Sequence, residues 1–362
     1  MEIFISFLIT MIVAFLCGTI AIRLKIPAGG MIGGMIGVAV LNILFGNAFM
    51  YSQVRFAVQI CLGAMSGSRV GRKEVKEMKR LIVPIILMFL VCMVLNIVFG
   101  IAVLKTTKLD ISTALLSITP GGATDMVFVA ADIGADTGMV GVMQSLRMIF
   151  SNCILTLIFV ALIDRHNRTC GIENKSTSPK TEMEEGLKNN SEDTRQHYWL
   201  RVAGMYLVAT CGGFLFKTLG VPGGTLVGAM IFTVIHNCIF NKVAYPNTIK
   251  KYQQVFTGAY IGVGITMETL ALIPSVAIGM GLSIIDIMLY VLIMSFILRK
   301  VSDMNYGTSL LCSTPGGIGE VSILSEELGT DTAVVALMNT VRMILVVATF
   351  PVILQVIAAA IG

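Results

Sequence analysis

The chain has 362 residues, 56% of them hydrophobic and only 13% charged, with a mean hydropathy of +0.86. That balance marks an integral membrane protein of the helical kind and excludes an outer-membrane barrel, which would show alternating strands of about 10 residues. The net charge of +5 is carried mostly in short loops between apolar stretches, so it reports membrane topology and excludes nucleic acid as a partner.

Residues 3–22 form the first apolar stretch, preceded by Glu2 rather than a basic segment and followed by no small-residue cleavage site. It reads as a retained helix and not as a signal peptide. Further apolar segments run over 28–45, 54–70 and 81–104, then an interrupted segment over 111–132, then 137–163. A polar linker from Asp164 to His197 follows, rich in Lys, Glu, Asn, Ser and Thr, and Tyr198 with Trp199 marks re-entry at the bilayer interface. The second half repeats the series at 200–217, 223–240, 249–265, 276–298, 306–327 and 332–360. The expected organisation is a membrane repeat over 1–163, a cytoplasmic linker over 164–198 and a second membrane repeat over 199–362.

The interruption in each half is a Pro-Gly-Gly element. Thr119-Pro120-Gly121-Gly122-Ala123-Thr124-Asp125-Met126 in the first half is matched by Thr314-Pro315-Gly316-Gly317-Ile318-Gly319-Glu320-Val321 in the second. Proline removes a backbone donor and disfavours helix at the residue before it, and two glycines add freedom, so a continuous helix through either stretch is not expected. Each marks a broken or re-entrant segment, and non-helical backbone at membrane depth is tolerated where protein buries it or water reaches it.

A single offset of 195 residues aligns the two halves over most of the sequence without a gap. It pairs Pro27 with Pro222, Gly29 with Gly224, Gly33 with Gly228, Asn42 with Asn237, Gln59 with Gln254, Gly63 with Gly258, Gly67 with Gly262, Asp136 with Asp331 and Arg147 with Arg342. The protein is a tandem duplication. The loop after the third segment carries Arg69, Arg72, Lys73, Lys76, Lys79 and Arg80, whereas its counterpart over 264–275 has no basic residue. The loop before that segment has the reverse bias, Arg55 against Lys242, Lys250 and Lys251. Equivalent loops therefore fall on opposite sides, the pattern of an inverted-topology repeat with five crossings per copy plus one re-entrant segment. Lys105 and Lys108 run against this bias. A parallel twelve-helix duplication, and a Pro-Gly-Gly segment that crosses fully while another segment does not, stay open.

The polar residues inside the apolar runs point to the site. Asp125 and Glu320 follow their prolines at the same distance, and Arg147 and Arg342 lie further on, each in an apolar helix with Gln144 or Asn339 three residues earlier on the same face. An intramembrane carboxylate must be paired, hydrated or protonated, which are also the states through which a proton-coupled or sodium-coupled carrier cycles. The candidate solute and ion site is therefore Thr119, Gly121, Gly122, Asp125, Gln144, Arg147, Thr314, Gly316, Gly317, Glu320, Asn339 and Arg342. The same charges could instead form salt bridges, Asp125 with Arg147 and Glu320 with Arg342, that only lock helices together. Asp286 is a secondary candidate, an acid where the first copy has Val91, and either a coupling-ion site or a water pocket explains it. Asp132, Asp136, Glu326, Glu327 and Asp331 flank the breaks as solvated ends, Asp136 and Asp331 also suiting helix N-caps. No cofactor or metal is expected: the chain has three histidines, His166, His197 and His236, with no Glu-x-x-His pair.

On Pro27-Ala28-Gly29-Gly30, the Thr-Pro-Gly-Gly-Ala-Thr-Asp-Met run from Thr119, the Gln-Ser-Leu-Arg run from Gln144 and their later equivalents, the sequence resembles the AbrB-duplication family of bacterial integral membrane proteins. That family is distinct from the soluble DNA-binding regulator of the same name. Its members carry labels of ammonia monooxygenase or of regulator of gene expression, and it is distantly similar to cation-proton antiporter and anion-transporter folds built from inverted repeats. The expectation is a multi-pass carrier of the bacterial plasma membrane, not an enzyme, that moves a small anionic solute with protons or sodium; its partners would be lipid, solute and coupling ion, and a homo-oligomer is compatible. The alternative is a membrane sensor or scaffold that affects gene expression through a partner at the linker and the basic loop, without transport.

Overall fold

The computed structural model describes residues 2–24, 28–155, 158–159, 161–163, 165, 192–240, 242–302, 304–315 and 318–361. Pro27, most of the polar linker, Gly316 and Gly317 thus lie outside the described residues. The described residues form helices and loops, with no strand among them.

The first half contains α1 (Glu2–Arg23), α2 (Gly29–Phe45), α3 (Ser52–Gly67), α4 (Arg72–Met78), α5 (Ile82–Thr106), α6 (Ile111–Ile118), α7 (Ala123–Ile133) and α8 (Thr137–Ile149), which runs on through a π-helical turn, Phe150–Leu155. The second half contains α9 (Glu192–Thr218), α10 (Gly224–Phe240), α11 (Asn247–Gly264), α12 (Met267–Ser302), α13 (Tyr306–Ser313), α14 (Ile318–Glu327) and α15 (Thr332–Ile361). Spans within α1, α5, α9, α12 and α15 are long and apolar enough to cross a membrane, and α2 and α10 are shorter apolar helices. The protein is therefore a helical membrane protein. The segment expected over 276–298 is the core of the longer α12, which carries Pro274 inside it; in the first half the corresponding stretch is divided into α4 and α5.

Helix packing follows the 195-residue register closely. Lipid tails are as apolar as leucine side chains, so association inside a membrane depends on close van der Waals approach, and small residues permit it. A Cβ on Gly33 of α2 would lie 2.4 Å from the Cys17 carbonyl oxygen of α1, and one on Gly228 of α10 would lie 2.2 Å from the Gly212 carbonyl oxygen of α9. Between the halves, a Cβ on Gly63 of α3 would lie 2.5 Å from the Leu226 carbonyl oxygen, and one on Gly258 of α11 would lie 2.2 Å from that of Met31. Each pair obeys the same offset. One turn later Gly67 meets Met230 and Gly262 meets Met35, so α3 runs parallel to α10 and α11 runs parallel to α2. The ends are tied alike. Asn42 donates to the carbonyls of Val263, 3.0 Å, and Ile265, 3.1 Å, and its counterpart Asn237 donates to that of Val70, 3.3 Å.

Both interrupted segments fold as pairs of half-helices. Asp110 caps α6 by accepting from the Thr113 N–H, and Asn305 caps α13 by accepting from that of Thr308. At eight residues each, α6 and α13 rise about 12 Å, less than half of a hydrocarbon core of about 30 Å. The Asp136 N–H beyond α7 donates to Thr113 Oγ1 near the start of α6, 3.0 Å, and Asp331 N–H donates to Thr308 Oγ1, 3.2 Å. The outer ends of each pair are thus together. Asp136 and Asp331 cap α8 and α15, accepting from Met139 and Val334, as their positions before long apolar helices lead one to expect.

Candidate functional site

The first break occupies residues 119–122, between the end of α6 and the start of α7. A helix end leaves main-chain carbonyls without intrahelical partners, and burial away from water makes each one costly. Here α8 supplies the partners. Gln144 Nε2 donates to Leu116 O, 2.7 Å, and Thr119 O, 3.0 Å. Arg147 donates to Ile118 O at 3.1 Å, to Thr119 O, and to Gly121 O at 3.2 Å. A cation at the negative end of the half-helix dipole adds an electrostatic gain to these bonds. Thr119, the C-cap of α6, accepts at Oγ1 from Asn96 Nδ2 of α5, 3.1 Å.

The second break repeats the arrangement with looser bonds. Asn339 Nδ2 of α15 donates to Leu311 O, 3.1 Å. Arg342 donates to Ser313 O, 3.5 Å, and Thr314 O, 3.4 Å. Gly316 and Gly317 are outside the described residues, and so is the side chain of Glu320, whose backbone lies in α14. Ser151, in the π-helical turn that follows α8, donates to Pro315 O, 3.3 Å, which brings the first half against the second break. A π-turn inside an α-helix frequently marks a functional region.

The arginines are accordingly bound to main chain, and Arg147 is not bonded to Asp125. Asp125 is buried in the first turn of α7, where a negative charge complements the positive end of the helix. Its carboxylate folds back over Gly122, so that a Cβ there would lie 2.3 Å from Asp125 Oδ2. The cation acting on it is Arg69, just beyond α3. Asp132, expected as a solvated end, is ion-paired with Arg55 and accepts from Gln59 Nε2 at 3.1 Å.

Asp286 of α12 is 4% exposed, and its Oδ1 has no hydrogen-bond partner. The fields of Asp286 and Arg342 both act on Arg147. Tyr290 lies one turn along α12 from Asp286, and the Arg342 guanidinium is 5.9 Å from its ring centroid. Buried atoms without partners in this region are Arg147 Nε and Arg342 Nε as donors, and Asp286 Oδ1, Gln144 Oε1, Asn339 Oδ1 and Asn96 Oδ1 as acceptors. Most buried polar groups in folded proteins are satisfied, so such a concentration calls for water or a ligand. Asn96 and Tyr290 were not singled out by sequence pattern. An amide inside an apolar run was a signal that could have found Asn96; a tyrosine among many apolar residues carries none. Among the described residues no three His, Cys, Asp or Glu side chains are grouped to hold a metal ion.

With this geometry in hand, comparison with known proteins gives one family. The family described as transition state regulatory protein AbrB matches residues 1–163 and 172–358, on either side of the polar linker. The protein YhjN of Bacillus subtilis (strain 168) is 23% identical over 303 residues, covering 81% of this chain and 76% of that protein. A protein of Escherichia coli (strain K12) described as a candidate regulator, AbrB, is 23% identical over 352 residues, covering 94% of this chain and 92% of its own length.

Proposed function

The chain belongs to the AbrB family, and from that premise we propose that it is a multi-pass secondary transporter of the bacterial plasma membrane, moving a small anionic solute coupled to protons or sodium. The observation that carries this is the pair of buried helix breaks, each held by an arginine and an amide, around a group of buried donors and acceptors without protein partners. A purely structural lock would satisfy those atoms, whereas a binding site leaves them for its ligand.

The architecture behind this proposal is two inverted repeats with re-entrant Pro-Gly-Gly segments. Three features support it. The second helix of each half runs parallel to the third helix of the other, and each half joins those two helices through a short loop, so equivalent helices point in opposite directions once each loop returns the chain. The basic stretch after α3 meets the loop after α10 through the Glu74–Lys242 ion pair and Arg72 to the Cys238 carbonyl, which puts the positively charged loops of both halves on one face. The short half-helices with adjacent outer ends suit segments that enter and leave on the same side. In this scheme the arginines both fix the broken backbone and present positive charge to the solute, while the acids, Asp125, Glu320 or Asp286, take the coupling ion.

The regulator description of the E. coli relative fits a carrier indirectly, because a change in an internal solute pool alters transcription without contact with DNA. Transport by the purified protein in liposomes, under imposed proton and sodium gradients and over a broad panel of small acids, is the test. Movement of none of them would remove the carrier reading.

A further inference from the structure

The helix that carries Asp286, α12, packs against α5, α8 and α13. One turn on from Asp286 it carries Tyr290, whose ring centroid lies 5.9 Å from the Arg342 guanidinium of α15; the fields of Asp286 and Arg342 both reach Arg147 of α8 and Cys92 of α5. Two guanidiniums and one ionised carboxylate give this group a net charge of about +1, with the Cys92 thiol and the Tyr290 phenol neutral. The two arginines are related by the repeat, but the acid is not, since Val91 stands at the equivalent place on α5. A single carboxylate therefore serves two symmetric cations, each of which keeps a buried Nε donor, on Arg147 and on Arg342, without a partner.

Taking the carrier reading as its basis, we propose that Asp286 is the proton-coupling residue and that it competes with the anionic solute for the Arg147 and Arg342 pair. When Asp286 is ionised it offsets one guanidinium charge, and a second anion entering the same buried space meets its repulsion. A proton delivered from water forms an O–H bond at the open Oδ1. The group then carries one more positive charge, which one monoanion cancels, so that the empty ionised site and the loaded protonated site have equal net charge. The solute class is thus a small monoanion, a monocarboxylate being the simplest, carried with one proton. Asp125 does not fill this place, because it is held at the start of α7 over Gly122 and is not among the charged groups that act on Arg147.

The test uses the full-length protein. Infrared difference spectra across a pH titration should show a protonated-carboxyl stretch that is present in the wild type and in Asp125→Asn and is missing in Asp286→Asn. The same titrating band in Asp286→Asn overturns the assignment. In liposomes, with the acid that moves fastest in the panel as probe, one-proton coupling makes steady-state accumulation rise about tenfold per pH unit of imposed gradient. Asp286→Asn should flatten this to less than about twofold, and Asp286→Glu should restore it. Unchanged pH dependence in Asp286→Asn overturns the coupling role while the carrier stands. If no acid moves in the wild type, the carrier reading fails and the coupling role fails with it, whatever the spectra show.

Discussion

Arg147 of α8 donates to the main-chain carbonyl of Thr119, so the helix after the first interrupted segment secures the backbone that the break exposes. Its repeat partner Arg342 reaches the Thr314 carbonyl at 3.4 Å. The same residue type at the same offset does the same work twice, and the first copy holds its carbonyls more closely.

That difference in bonding sets the first expectation. Arg147→Ala leaves the carbonyls of Ile118, Thr119 and Gly121 without this donor and should destabilise the purified protein by about 3 kcal/mol or more. Arg342→Ala, which loses two longer bonds, should cost less. Denaturant unfolding in detergent would measure both, and an equal or reversed order would contradict the asymmetry of the two caps.

The cross-half glycine contacts give a second. Alanine at Gly258 would put a Cβ 2.2 Å from the Met31 carbonyl oxygen, and at Gly63 2.5 Å from that of Leu226. Backbone cannot yield as a flexible side chain does, so each substitution should cost about 1–3 kcal/mol. Gly281, exposed within α12 with open space where an added methyl would sit, is the contrast: Gly281→Ala should stabilise by up to about 1 kcal/mol through helix propensity. If all three changes behave alike, helix contact at Gly63 and Gly258 is not what holds the halves together.

Sidedness tests the proposed inverted arrangement. Lys76 and Glu268 are exposed in equivalent regions of the two halves. Single cysteines at these positions, in a background lacking the other eight, should react with a membrane-impermeant maleimide from opposite faces of the membrane. Labelling of both from one face would rule out the inverted topology in favour of a parallel duplication.

The Glu74–Lys242 pair offers a pH-dependent readout outside the membrane spans. Burial pushes the Glu74 carboxyl up, but the Lys242 ammonium and the Gly71 N–H outweigh it and hold the group below its usual range. A depressed carboxyl contributes stability that is present above its unfolded value and is lost as pH falls through the folded one. The advantage of wild type over Glu74→Gln should therefore be present at neutral pH and vanish on acidification. Because Lys242 is 45% exposed, its size should stay under about 1 kcal/mol. An advantage that grows in acid would have the wrong sign for this pair.

Deletion of most of 168–195 separates the carrier from a sensor that signals through the linker. The carrier should keep its physiological effect after that deletion and lose it on Asp286→Asn; a sensor would show the reverse.

Much of this protein is written in local sequence. Apolar runs of membrane length fix α1, α5, α9, α12 and α15, because a helix is the one way for a single lipid-exposed segment to satisfy its own backbone. Pro120 and Pro315, with the glycines after the first of them, end α6 and α13 for reasons internal to the chain, and the 195-residue register is visible in residue identities alone. What no sequence pattern could assign is the company each polar group keeps. The partners of Arg147 are main-chain oxygens, and every residue carries one, so side-chain identity gives no sign that residues 118, 119 and 121 are the ones it meets. Opposite charges at a suggestive spacing invite pairing Asp125 with Arg147, yet the fold sends the guanidinium to the helix end and leaves Asp286, from a helix more than a hundred residues away, as the acid that acts on it. Only tertiary packing decides that, since buried groups are matched by where whole helices bring them and not by their distance along the chain.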